Sequence, residues 1–258
     1  MKSDIRPFRM YGNLYFIGSS KVSVHIIKTD EGLVMIDTGY PCMYEQILDS
    51  MQELGLHVED ICAIFHSHGH IDHFGCTLRL LELCNARTYI SRVDNEIVNG
   101  NRNLSWADEL NLPKEKPFAC DVLIEDGDSF TFGNTTIRCR LVPGHTDGVL
   151  AFFVNVEENG KTAIAAMHGG VGLNTLKAAY LQKNGISFDN REIFRDGLHR
   201  LSEERVDIVM GNHPGQSDTV GKLEKALNGE SIVDPTEWKR FLKETEAKLD
   251  ALIASEQA

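Results

Sequence analysis

The chain has 258 residues, enough to bury a sizeable core within one α/β domain. Its 26 Lys and Arg against 38 Asp and Glu leave a net charge of −12, which argues against nucleic-acid binding, because such binding rests on basic side chains neutralising phosphates. No stretch is apolar for long enough to span a bilayer and residues 1–7 carry no run of signal-peptide length, so a cytoplasmic protein without a membrane partner is the expectation. The six cysteines form no C-x-x-C pair and fit reduced, mostly buried thiols.

Residues 13–17, 22–28 and 33–37 are rich in β-branched and aromatic side chains and are separated by Gly-Ser-Ser and Thr-Asp-Glu-Gly turns, so they read as strands. His25 lies inside the second of them and reads as structural. Pro41 stands where a first helical residue belongs, and Tyr44, Ile47, Leu48, Met51 and Leu54 follow at helical spacing. Residues 61–65 form an apolar strand, 77–84 a helix with Leu78, Leu80, Leu81 and Leu83 inward, and 88–90 the next strand. Residues 91–120, with Trp106, read as a loop over a site or as a surface helical insertion. Strands return between 121 and 167. A helix over 188–206 with the stripe Ile193, Phe194, Leu198 and Leu201 precedes a buried strand at 207–210. A C-terminal helix occupies 232–258, with Asp234 as N-cap, Pro235 at its first position and Glu237 three residues after the cap. Strands followed by helices, twice over, suggest a layered α/β architecture in a single domain, 1–258.

The apolar strand 61–65 opens into His66-Ser67-His68-Gly69-His70-Ile71-Asp72-His73, which holds four of the chain's ten histidines. In an extended segment, residues two apart point the same way, so His68 and His70 can converge on one cation through neutral imidazole nitrogens. Asp72 and His73 fall where the chain begins to coil; they face elsewhere and suit a second cation or the water between the two.

At these residues the chain resembles the metallo-β-lactamase superfamily, whose hallmark is the H-x-H-x-D-H loop. Asp37-Thr38-Gly39 resembles the family's early D-T-G element, Pro143-Gly144-His145-Thr146 its P-G-H-T element, and Gly211-Asn212-His213-Pro214 the late strand ending in a metal histidine. The resemblance implies an αβ/βα four-layer sandwich and a metal-dependent hydrolase. It implies that His68, His70 and His145 hold one Zn²⁺ and that Asp72, His73 and His213 hold a second. Asp72 is then also catalytic and Asp37 orients a ligand from behind. With two cations bound, a shared water would ionise near neutral pH and attack a carbonyl. Fe²⁺ or Mn²⁺ can occupy the same donors.

The chain departs from the commonest family pattern after residues 162–167. Many members carry a bridging Asp there; this chain has His168, a candidate metal or substrate contact or a residue held by a carbonyl. Gly170 to Asn174 is similar to the third subclass of metallo-β-lactamases, which implies a β-lactam-like cyclic amide as first substrate. Against this stand the expectation that residues 1–7 are not a secretory leader, the lack of any Cys after Cys139, and glycines where such enzymes often place serines for the substrate carboxylate. A cytoplasmic lactone, ester or thioester hydrolase is the alternative. A closed metal store is a poorer fit, because three histidines with an open position are the pattern of catalytic zinc. Oligomeric state has no signature in the sequence.

Overall fold

The computed structural model describes residues 4–257. A seven-stranded sheet runs in chain order through β1 (Phe8–Tyr11), β2 (Leu14–Phe16), β3 (His25–Thr29), β4 (Gly32–Ile36), β5 (Ile61–Phe65), β6 (Arg87–Ser91) and β7 (Val122–Ile124). Its first four strands pair antiparallel, as hairpins allow, and β4 to β7 pair parallel, each crossover carrying helix. The second sheet contains β8 (Ser129–Phe132), β9 (Thr135–Leu141), β10 (Leu150–Glu158), β11 (Lys161–His168) and β12 (Ile208–Val209), ordered β12-β11-β10-β9-β8 and antiparallel except at β11/β12.

The period-2 alternation of these strands assigns the layers. On β4, Val34 and Ile36 face the second sheet while Leu33 and Met35 face the helix α1 (Tyr44–Glu53) and its Ile47 and Met51. On β10, Phe152, Val154 and Val156 meet the first sheet, and Ala151 and Phe153 meet α6 (Asn190–Leu201) and α8 (Glu237–Gln257). Both sheets are therefore covered on both faces. The result is helices, sheet, sheet, helices: the expected αβ/βα four-layer sandwich. Between the sheets Phe65 stacks on Tyr89 at 4.3 Å and meets Phe130, Phe132 and Phe152 edge-on, so aromatic packing closes the centre.

Short helices α2 (Ile71–Phe74), α3 (Thr77–Leu80) and α4 (Arg92–Val98) follow β5 and β6, while α5 (Ala178–Asn184) and α7 (Thr219–Leu227) complete the chain. Several expectations shift. The helix expected over 77–84 ends at Leu80, and Leu83 is 40% exposed. Ile193 lies 42% exposed on α6, whose buried stripe is Phe194, Gly197, Leu198 and Leu201; the extra apolar residue does not face the sheet. The last helix starts at Glu237, later than the expected 232, while the Asp234 carboxylate accepts from Thr236 N at 2.9 Å, the kind of bond expected of an N-cap, and from Thr236 Oγ1 at 2.6 Å. Glu237 does not reach back to a cap; it pairs at 2.6 Å with the buried Lys222 of α7. The six cysteines are all free. No described helix is long and apolar enough to cross a membrane.

Candidate metal centre

The parallel strands β4 and β5 end at one edge of the sheet, the place where loops of α/β sheets gather ligands. Asp37 N donates to Phe65 O at 2.8 Å, and Thr38 N to His73 O at 2.8 Å, which fastens the Asp37-Thr38-Gly39 turn to the histidine loop. Asp37 itself has φ +59, a left-handed conformation that Asp tolerates better than most side chains. From the second sheet, Leu150 N donates to Ser67 O at 2.9 Å, and Asn212 Nδ2 to Gly169 O at 2.5 Å. The loops of both sheets thus meet over one site.

Two groups of side chains able to hold a metal ion result: His68, His70 and His145 in one, Asp72, His73 and His213 in the other. In the first, His68 Nε2 lies 3.0 Å and His145 Nε2 3.1 Å from His70 Nδ1. Zn–N bonds of about 2.0–2.1 Å in a tetrahedron put ligand nitrogens about 3.3 Å apart, so the spacing fits a bound cation. In the second group, His73 Nε2 and His213 Nε2 lie 3.5 Å and 3.7 Å from Asp72 Oδ2. His73 Nε2 is buried with no hydrogen-bond partner, as a nitrogen reserved for a metal must be.

The outward nitrogens of His68, His73, His145 and His213 are held instead, while that of His70, Nε2, is buried without a partner. His73 Nδ1 donates to Asp37 Oδ2 at 2.7 Å, His213 Nδ1 to Lys21 O at 2.5 Å and His145 Nδ1 to Gly172 O at 2.6 Å. His68 Nδ1 lies 3.1 Å from Ser67 Oγ, whose proton goes to Asp37 Oδ2 at 2.8 Å. Such outer partners fix the ring and the tautomer that faces the cation. Burial holds His68 and His70 well below the usual histidine range and His145 at about 4, so these three are neutral at physiological pH. Burial also opposes charge on His73, but the Asp72 and Asp37 carboxylates outweigh it and raise its pKa.

The family profile described as "Metallo-beta-lactamase superfamily" matches residues 17–158, which span the histidine loop and His145. The chain belongs to the metallo-beta-lactamase superfamily. It is a hydrolase of a metal-dependent family. The FEZ-1 metallo-beta-lactamase of Legionella gormanii superposes with a TM-score of 0.89 at 24% identity, covering 100% of this chain and 99% of that one. BJP-1, a subclass B3 metallo-beta-lactamase of Bradyrhizobium japonicum, gives 0.83 at 21%, covering 99% and 96%. These likenesses concern the fold. Among curated proteins, the hydroxyacylglutathione hydrolase of Prochlorococcus marinus strain MIT 9301 is 24% identical over 231 residues, 87% of this chain and 82% of that protein. Other hydroxyacylglutathione hydrolases align over as little as 36% of their own length.

Around the superfamily's histidine loop the structure adds Asp94 and Tyr40, to which the sequence motifs do not point, and places Trp106, already named in the 91–120 stretch. Asp94 on α4 is fully buried and its Oδ2 accepts from Gly69 N at 2.8 Å and Thr146 Oγ1 at 2.6 Å, tying the loop of His68 and His70 to that of His145. Burial raises its pKa to about 6. Trp106, in the stretch between α4 and β7, places its ring 5.5 Å from His70 and 4.9 Å from Tyr180, with φ +66. A bulky residue in that conformation is held there by its contacts. This part of 91–120 is therefore a loop over the site, while α4 supplies the helical part. Tyr40 stands beside Asp72, and burial pushes its phenol up to about 12, so it remains a donor.

His168 joins neither group. Its Nδ1 accepts from Gly170 N at 3.2 Å and its ring lies 6.0 Å from Phe194, which turns it into the α6 side of the sheet. His25 is fully buried against Phe16, away from both groups, and His199 is exposed and bonded to Glu246 at 2.7 Å. His66 is structural too, spanning Tyr89 O and Thr77 Oγ1 at 3.1 Å and 2.8 Å.

Proposed function

We propose that the chain is a single-domain, dinuclear zinc hydrolase acting in the cytoplasm on a small-molecule carbonyl compound. The observation that carries this reading is the pair of ligand groups: His68 Nε2 and His145 Nε2 stand 3.0–3.1 Å from His70 Nδ1 in the first, His73 Nε2 and His213 Nε2 stand 3.5–3.7 Å from Asp72 Oδ2 in the second, and the outer nitrogens of His68, His73, His145 and His213 are bonded away. His68, His70 and His145 would hold one ion, and Asp72, His73 and His213 the other. A nitrogen-rich donor set with one carboxylate suits zinc better than the oxygen-seeking metals, with Fe²⁺ or Mn²⁺ as competitors. Bound there, such ions supply Lewis acidity and ionise water near neutral pH.

The protein's part is orientation. Asp72 is the one carboxylate in the two groups and would accept a hydrogen bond from a water held there, which would orient it toward a carbonyl. Asp37 keeps His73 in the tautomer that presents Nε2 inward, and through Ser67 it steadies His68. Trp106 covers the His70 side and limits bulk water. His168 takes no part in this scheme beyond shaping the turn at 169–170.

A β-lactam-like cyclic amide is the first substrate that the whole-length fold likeness suggests. A second reading, a lactone, ester or thioester, is favoured by a specific observation. Glycines stand at 170 and 172, where such enzymes often place serines for a lactam carboxylate. A Cβ on Gly170 would come within 2.8 Å of His145 Cδ2, so a serine there would displace a metal-group histidine, while a Cβ on Gly172 would stand 3.2 Å from His145 Cε1 and be merely tight. The curated relatives named hydroxyacylglutathione hydrolase point the same way. The test is metal content and turnover together: zinc-loaded protein is offered a β-lactam panel and a lactone and thioester panel, with chelator-treated protein as control. About two zinc ions per chain, as two ligand groups require, and chelator-sensitive cleavage in either panel are expected. A chain that binds no metal overturns the reading.

A further inference from the structure

A cavity of about 380 Å³ lies between the turn before β3, the segment leading into α1, and the loop before β7. Its walls include Ser19, Tyr40, Met43, Gln46, Leu110 and Leu112. The volume falls within the range of about 300–1,000 Å³ in which small organic ligands are held. Two of its walls are shared with the second ligand group. Tyr40 stands beside the Asp72 carboxylate, and Lys21, also at the cavity, gives its carbonyl to His213 Nδ1 at 2.5 Å.

The polar walls are already satisfied within the protein. Ser19 Oγ accepts from Lys21 N and Val22 N at 3.2 Å and 3.4 Å, and Gln46 Nε2 donates to Gly18 O at 2.9 Å. Of the two charges at the cavity, the Asp4 carboxylate is held by Ser20 N and Oγ, and Lys21 is exposed. What is left for a ligand is the Tyr40 ring, Met43 and the partly buried Leu110 and Leu112, which rest on Ile71 and Phe74. A surface of this kind rewards methylene groups and offers little to a charged peptide-like group.

We propose that this cavity receives the apolar acyl arm of a small carboxylic ester, thioester or lactone whose carbonyl lies at Asp72, His73 and His213. The inference rests on the hydrolase reading and narrows it to substrates with a medium-length hydrocarbon acyl group. In the reaction, the oxygen of water forms the new bond to the carbonyl carbon and the acyl–oxygen or acyl–sulfur bond breaks. One proton of the water leaves with the alcohol or thiol, and the other is released as the product acid ionises.

The test uses zinc-loaded protein and p-nitrophenyl esters from acetate to octanoate, with a parallel readout that needs no turnover. The exposed thiol of Cys42 lines the same cavity. Its alkylation by a maleimide, followed by peptide mass mapping, reports occupancy by octan-1-ol, with methanol as control. Expected are a rise in kcat/KM of up to about fourfold per added methylene until the cavity fills, slower Cys42 alkylation with octan-1-ol, and a flattened chain-length slope in the Leu110→Ala, Leu112→Ala double variant. The alkylation readout on the unaltered chain stands even if that variant misfolds. Ester cleavage with no chain-length slope, or alkylation indifferent to octan-1-ol, overturns the proposal. Protection of Cys42 without cleavage of any ester or thioester overturns the acyl-arm proposal and leaves an apolar site, whereas loss of metal binding together with inertness in the β-lactam, lactone and thioester panels overturns the hydrolase reading itself.

Discussion

At the scale of single residues, the carboxylate of Asp37 holds the most. It accepts from Ser67 N at 2.7 Å, Ser67 Oγ at 2.8 Å and His73 Nδ1 at 2.7 Å, in a fully buried position. Asp37→Ala leaves three buried donors unmet, at about 1–3 kcal/mol for each unmet group, and strands a β-carbon at φ +59 without the side-chain bonds that stabilise it. We expect a loss of about 3 kcal/mol or more in urea unfolding and a zinc affinity about 10- to 100-fold weaker at the Asp72, His73 and His213 group, read by competition with a chelating dye. Loss of stability with zinc affinity intact would confine Asp37 to a folding role. His25 carries the acid sensitivity of a residue outside the site. Burial lowers its pKa from 6.5 to about 4, so below 6.5 the unfolded chain binds a proton that the folded chain refuses. Stability from this source is whole above pH 6.5 and drains away as pH falls toward 4. His25→Leu should narrow the stability gap between pH 7 and pH 4 by up to about 3 kcal/mol; equal acid slopes for variant and parent would contradict that.

At the scale of elements, α7 and α8 are joined by an ion pair at 2.6 Å between the buried Lys222 and the partly buried Glu237, both partly desolvated. Removing one charge strands the other. Lys222→Met alone should destabilise by about 3–5 kcal/mol, and adding Glu237→Leu should recover most of the loss, because an apolar pair of similar volume replaces an ion pair at little cost. A double variant no better than the single would show that the pair itself is strongly net favourable. Element reading from sequence succeeded where the signal was strong: β4 and β5 are unbroken apolar runs, as strands covered on both faces are, and α1 buries a stripe at helical spacing. It missed β1, α5 and α7, which are short and whose burial depends on what lies across from them. It placed the start of α8 too early and gave Glu237 a capping role, because whether Glu237 turns back or meets Lys222 depends on where α7 packs.

At the scale of the whole molecule, each ligand group takes side chains from loops of both sheets: His68, His70, Asp72 and His73 follow β5 of the first, His145 follows β9 and His213 follows β12 of the second. A bound cation therefore crosslinks the two halves of the sandwich. Chelation should lower the unfolding temperature by an amount set by free zinc over Kd, worth about 4 kcal/mol at a thousandfold excess, and calorimetry with and without chelator measures it. An unfolding temperature indifferent to chelator would mean that the two halves hold together by the inter-sheet aromatic core alone.

The sequence by itself determined the superfamily and the layered architecture, along with the six side chains that the fold then gathers into two groups. Each was legible because its signal is local: the spacing of H-x-H-x-D-H, a D-T-G or P-G-H-T turn after an apolar run, a period of two along a strand. What only the tertiary structure decided is long-range. Asp94 meets Gly69 and Thr146 from 25 and 52 residues away, and no spacing within α4 announces it. Trp106 becomes a cover for His70 only when the loop folds across the sheet edge. His168 sits at the end of β11 next to the site in sequence terms, yet packing against Phe194 and the turn at Gly170 takes it out of both groups. The direction a side chain faces at a strand end, and the cavity formed where three distant segments meet, are set by packing between layers, and packing has no signature in a single stretch of chain.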